Sequence, residues 1–381
     1  MASTAIDRRY FLAGLGAALL AAPGRPSAAT PLPGEAYVSG RGDGRGHFSV
    51  AAFDGDGGML LDQALPARCH AIAVSPDGMR CVAVARRPGT FAVVVDLPSR
   101  RIVQQLAATQ GRTFAGHAVF SQDGSRLLLT EDDTVREEGF VAIRAVADAY
   151  RPAGGFRTRG VGPHELLWSA DGRTIAVANG GILINPDSGR VPLNIDSMQP
   201  SLALLDAADG SLQRTATLPA ALHQLSIRHL ALLSDGRLAF GMQYQGPIED
   251  AVSLVGILAP DGAVRLLDVP AHLAFRVRQY IGSVASDASG RWLAASAPRG
   301  NLVMVWDADS GAFAGSVDIA DGCGVCRTSI AGELLLTSGS GIVERVACDR
   351  LADTSPVPSA ALAGSQWDNH VYFRGGRPIP L

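Results

Sequence analysis

The chain has 381 residues, 47% hydrophobic and 18% charged, with 44 glycines and 22 prolines. That is too apolar for a disordered chain and too rich in breakers for a helical one. The net charge of −3 gives no electrostatic footprint for nucleic acid, and all 33 basic residues are arginine. Schiff-base and pyridoxal chemistry and a Walker-type phosphate loop are thereby excluded, since each needs a lysine amine.

The N-terminus reads as an address. Paired Arg8 and Arg9 precede an apolar run from Phe11 to Ala22, and Ser27-Ala28-Ala29 supply small residues for cleavage. These are the three regions of an export signal, and the arginine pair marks the twin-arginine type. Its apolar run of about twelve residues is too short for a permanent membrane anchor. Residues 1–29 are therefore expected to direct a folded protein to a bacterial periplasm, and 30–381 to form a single domain.

From about residue 35 the chain repeats a short apolar strand, a Ser-x-Asp-Gly-like turn and a second strand. The turns are Ser75-Pro76-Asp77-Gly78, Ser121-Gln122-Asp123-Gly124, Ser169-Ala170-Asp171-Gly172 and Ser234-Asp235-Gly236, with degenerate copies at 286–290 and 330–332. Asp-Gly tolerates the positive φ that a tight hairpin requires. Each pair is followed by an outer hairpin, starting near His47, Phe91, Phe140, Ser201, Ser253, Asn301 and Ile342. Seven outer hairpins against six inner turns leave one innermost strand missing at the front, and His370-Val371-Tyr372-Phe373 can supply it. The expected fold is all-β: a seven-bladed β-propeller closed by strands from both termini. The longest insertion, 179–201, is expected to be a functional loop on one face.

Aligning the copies on their turns places His70, His117, His164 and His229 at equivalent points of four innermost strands, and His370 in the closing strand. Tyr280, Cys323 and Cys326 fall near this position in the remaining copies. Innermost strands line the central channel, so five of the eight histidines converge on its axis. Imidazoles so arranged could hold a transition metal such as iron or copper. They could equally be polar residues lining a water-filled funnel. Arginines accompany them: Arg41 and Arg45 in the Gly-rich stretch before His47, Arg68 before His70, Arg112 before His117, and Arg228 beside His229. An arginine fork recognises carboxylate or phosphate, so a small polar or anionic ligand competes with the metal. Arg41, His47, Arg228, Asn179 and Asn194 are the candidate ligand-binding residues. Glu131-Asp132-Asp133 is expected to be a solvated acidic turn, with calcium as an alternative. Histidine-driven binding should respond between pH 6 and 7.

The five cysteines, an odd number in a long chain, argue against a disulfide scaffold. Cys69 and Cys81 could face each other across neighbouring strands. Cys323-x-x-Cys326 is followed by Arg327 rather than His, so c-type haem attachment is not supported.

The mature chain resembles a family of exported, propeller-like bacterial proteins of unknown function. The resemblance is carried by Gly116-His117-Ala-Val-Phe-Ser121, Gly162-Pro-His-Glu165, Val177-Ala-Asn-Gly-Gly-Ile182, Leu225-Ser-Ile-Arg-His-Leu230, Ser296-Ala-Pro-Arg-Gly-Asn301 and Trp367-Asp-Asn-His370. This chain departs from it at Asp132, where Asn is usual. The resemblance implies a periplasmic protein partnered with imelysin-like and di-haem peroxidase-like proteins of iron acquisition, and it implies no reaction. The expected role is a binding or scaffold module with a His/Arg-lined channel mouth. The alternative is a metal-dependent redox enzyme on the same histidines, with Cys323 nearby.

Overall fold

The Asp-Gly turns set the hairpins locally. In the computed structural model, which describes residues 35–87, 89–184 and 191–375, Gly78, Gly124, Gly172 and Gly236 all adopt φ between 63° and 84°. The aspartate before each glycine accepts the amide two residues on. Asp77 Oδ1 takes Met79 N at 2.9 Å, and Asp171 Oδ1 takes Arg173 N at 2.8 Å. The export signal expected at 1–29 lies outside the described residues.

The described residues form seven four-stranded antiparallel sheets. Blade 1 spans 69–106, blade 2 113–157, blade 3 163–217, blade 4 225–267, blade 5 283–318 and blade 6 322–356. Blade 7 joins the C-terminal strand Gln366–Arg374 to the N-terminal strands Ala36–Gly42, Phe48–Asp54 and Met59–Leu65. The innermost strand of each blade touches that of the next, and the contacts close from blade 7 back to blade 1. This is a seven-bladed propeller closed by strands from both termini.

The core lies between blades. In strand Ala36–Gly42 alternate side chains serve opposite faces. Ala36 and Val38 pack with Ile72 and Cys81 of blade 1, whereas Tyr37 packs with Leu335 and Val343 of blade 6. Second strands are consequently buried on both faces, as in Arg80–Ala85 and Thr174–Asn179. Outer strands such as Arg101–Leu106 alternate between exposed and covered residues. Among the described residues no helix is long and apolar enough to cross a membrane.

All five cysteines are buried and free. Cys69 pairs with Ala85 and Cys81 with Val74. The two thiols thus sit at opposite ends of one hairpin, which corrects the expectation that they face each other.

The closing strand supplies the inner edge of blade 7, and Trp367 at its core is only 1% exposed. Truncation after Ser365 should therefore abolish the cooperative thermal transition seen by circular dichroism. A truncated chain melting at the wild-type temperature would show that closure is dispensable.

Candidate metal centre

A regular strand cannot aim adjacent residues at one axis, because successive side chains alternate. The innermost strands solve this with β-bulges, which re-aim side chains. In Cys69–Val74 the extra residue is His70 itself, unmatched between the Cys69–Ala85 and Ala71–Val84 pairs. In Thr113–Phe120 three residues, 115–117, oppose Thr130. In Pro163–Trp168, His164 and Glu165 together oppose Ala178. In Leu225–Leu232, Arg228 is the extra residue and His229 follows it. In Gln366–Arg374, residues 368–370 oppose Gly40. Hydroxyls of second strands hold the carbonyls that the bulges release. Ser39 Oγ donates to His370 O at 2.7 Å, and Thr130 Oγ1 lies 3.2 Å from His117 O and 3.0 Å from His164 O.

The five histidines meet. Ring centroids of His70–His164, His164–His229, His229–His370 and His370–His70 are 5.1, 4.9, 4.9 and 5.0 Å apart, a closed circuit of four. His117 is near every member, at 4.9, 4.7, 6.0 and 4.7 Å from His70, His164, His229 and His370. Two three-histidine sets place their ligand nitrogens within 4.8 Å of one another: His70, His117, His370 and His117, His164, His229. His117 belongs to both. Gly116 permits this packing: its φ is +112°, and a Cβ there would lie 2.6 Å from His70 Cδ2.

The rings are buried rather than spread along an open funnel, each histidine being at most 7% exposed. Both ring nitrogens of His70 and His229, and one each of His117, His164 and His370, are buried without a hydrogen-bond partner. A buried polar atom left unpaired costs about 1–3 kcal/mol. Each neutral imidazole carries one lone-pair nitrogen and one N–H, so a cation accepting one lone pair per ring relieves that share of the cost, and the donor set fits a transition metal with imidazole preference.

Glu165 is the residue that sequence reasoning missed. Its Oε2 accepts the Leu230 amide at 3.1 Å and lies 3.4 Å from His229 Nδ1, and its Oε1 lies 3.8 Å from His117 Nδ1. Burial raises its pKa to about 7. Its place directly after His164 gave no signal, because regular strand alternation would turn it away from that histidine.

The other candidates are dispersed. Arg228, 9% exposed, donates from Nε to Ser226 Oγ at 2.9 Å and lines a cavity over the histidines. Asn194 lies in the 179–201 insertion and pins it, accepting Leu183 N at 2.7 Å and donating to Gly181 O at 2.8 Å. Ile182, Ile184 and Pro192 of that insertion line the same cavity. Asn179 is fully buried and donates to Thr158 O at 3.0 Å. Arg41 donates to Ser365 Oγ at 2.8 Å and pairs with Asp62. The His47 side chain is 81% exposed, with Nδ1 2.7 Å from Asp43. Arg68 pairs with Asp368 at 2.6 Å, and Arg112 with Asp133 at 3.3 Å.

The acidic triplet is not a solvated turn. Glu131, Asp132 and Asp133 are 0%, 7% and 3% exposed. Arg112 and Arg144 approach Glu131, Arg87 approaches Asp132, and Arg112 and Arg136 hold Asp133. Cys323 turns its thiol to the carbonyls of Trp367 and Asp368, and Cys326 packs in the core between blades 6 and 7. Tyr280 does line the cavity, with Arg299 stacked 4.3 Å from its ring centroid.

The pH response also moves. Burial, and for His370 the neighbouring His229, lowers His229 to about 3 and His370 to about 4, and burial holds His70, His117 and His164 well below their usual value. Neutral imidazoles therefore persist through the pH 6–7 window, where a response was expected. As pH falls below about 6.5, the unfolded chain takes up protons that the folded ring refuses, so stability falls with pH. Glu165 works in the opposite direction between its usual value and about 7, but it is one group against five. The metal-free protein should lose roughly 5 °C or more in Tm between pH 7 and pH 5. A Tm that stays flat or rises over that range would overturn the neutral ring.

No curated protein matches the chain. Its fold is similar to a solved chain of Kuenenia stuttgartiensis hydrazine synthase, with a TM-score of 0.61 at 15% identity over 90% of this chain and 100% of that one. At that identity the likeness concerns the fold alone. The profile of the family described as "protein of unknown function (DUF1513)" matches residues 63–373, which take in the end of the outermost strand of blade 7, blades 1–6 and nearly all of the closing strand. The chain belongs to the DUF1513 family.

Proposed function

We propose that this protein is a periplasmic metal-binding module. In this reading His70, His117, His164, His229 and His370 hold a transition ion, iron or copper, with Glu165 beside His117 and His229. The observation that carries the reading is the convergence of buried imidazole nitrogens without hydrogen-bond partners. Bound there, the ion would supply a Lewis-acidic or redox-active centre. The protein's own residues neutralise little of its charge, because the imidazoles are neutral and, among the described residues, Glu165 is the carboxylate within 4 Å of them. That leaves demand for an anion from outside.

A binding or scaffold role is favoured over a redox enzyme by what lines the cavity. His70, His164 and His229 are reached from it, yet among the described residues neither a thiol nor a carboxylate lines it. Its partners in this reading are the imelysin-like and di-haem peroxidase-like proteins of iron acquisition that the sequence resemblance implies.

Protein exported in its natural host should contain about one equivalent of iron or copper by elemental analysis. His117→Gln should remove nearly all of it, because both three-histidine sets need His117, whereas His47→Gln should leave it in place. Less than about a tenth of an equivalent in the wild type, with an unchanged Tm in chelator, would refute metal binding.

Export is tested separately. Replacing Arg8 and Arg9 by Lys should hold the precursor in the cytoplasm in fractionation experiments. Undiminished periplasmic protein would rule out the twin-arginine route.

A further inference from the structure

The cavity over the histidines has a volume of about 360 Å³, at the small end for ligand sites. Four arginines reach it: Arg86 and Arg87 after the second strand of blade 1, Arg228 on the innermost strand of blade 4, and Arg299 after the second strand of blade 5. Among the described residues, three acids stand beside this lining: Asp132 is 3.7 Å from Arg87, Glu165 lies between His117 and His229, and Asp250 accepts the Tyr244 hydroxyl at 2.7 Å. The cavity therefore presents an excess of positive charge, and arginine is the side chain suited to gripping carboxylates.

Two further features narrow the ligand. The arginines come from blade 1 and from blades 4 and 5, and with His70, His164 and His229 they spread anion- and metal-seeking groups over the lining. An anion with carboxylates at two ends can engage more of these groups than one compact charge can. The insertion adds an apolar wall from Ile182, Ile184 and Pro192, which favours a hydrocarbon segment over an inorganic ion.

We propose that this cavity binds a compact organic polycarboxylate, with one carboxylate toward the arginines and another toward His70, His164 and His229. The contact with the histidine end rests on the metal reading, where that carboxylate completes the coordination of the ion. The arginine end does not rest on it.

The experiment is calorimetric titration of chelator-treated, metal-free protein with tricarballylate, and with acetate and phosphate for comparison. Tricarballylate should bind at least about tenfold more tightly than either. Arg86→Gln with Arg299→Gln should weaken it by about tenfold or more, with Tm retained. Equal or tighter phosphate binding, or a double variant that binds as the wild type does, would overturn the proposal. In a second arm, copper loading should tighten tricarballylate binding, since linkage is reciprocal. His117→Gln should abolish that increment and keep the metal-free affinity. Loss of the increment in the wild type alone would count against the metal and leave the anion cavity standing.

Discussion

Five imidazoles can share one buried space most readily while they are neutral. A proton on any of them would place a charge among four close, buried neighbours. This constraint organises the middle of the propeller. It explains why His229 and His370 resist protonation to about 3 and 4. It also explains why the lone pairs that remain are chemically significant. Neutral imidazoles that cannot protonate and lack donors nearby are poised for a cation that binds lone pairs. Glu165 fits the same constraint: burial favours its neutral form, and a bound ion would favour the ionised one.

The closing strand ties this centre to the fold. Gln366–Arg374 completes blade 7 and brings His370 into the circuit, so ring closure and ligand assembly share one element. The bulge at 368–370 serves both ends. Asp368 accepts from Arg68, just before blade 1, at 2.6 Å, and Asn369 reaches Tyr280 at 3.3 Å. Bulges lie at innermost pairs, where side chains must be re-aimed, and again at the outer pairs of five blades, while each second strand pairs with its third in unbroken register. That division lets the architecture tolerate a site at its axis.

What could be read from the residues follows the range of the physics. Asp-Gly turns are local, so the blade count and the missing inner strand were legible from them. Aligning those turns also exposed all five histidines, because equivalent strands bring equivalent residues to one axis. Glu165 was not legible: alternation places it opposite His164, and only the bulge brings both residues inward. Arg86, Arg87 and Arg299 escaped because they sit beyond second strands, at positions that turn alignment does not compare. Arg41 and His47 attracted notice through a Gly-rich neighbourhood, and the structure sets them against Ser365, Asp62 and Asp43. The lowered histidine pKa values depend on burial by four other blades, which no local pattern carries.

The asymmetry of the ring is itself informative. Blades 5 and 6 give no histidine. The innermost strand of blade 5, Ser283–Ser286, pairs in regular register, without a bulge. Blade 6 has the bulge, but Cys323 occupies it and turns its thiol to the carbonyls of the closing strand. A seven-fold scaffold offers seven equivalent positions, yet a transition ion of the kind imidazoles bind takes about four to six donors. Filling every position with histidine would bury more lone pairs than one ion could satisfy. Leaving two blades out keeps the donor number near what an ion can use. On the blade 5 side the chain instead contributes Tyr280, with Arg299 stacked on it, to the cavity wall. A lopsided ring of this kind is what a propeller needs if its axis is to hold an ion and still admit a second ligand.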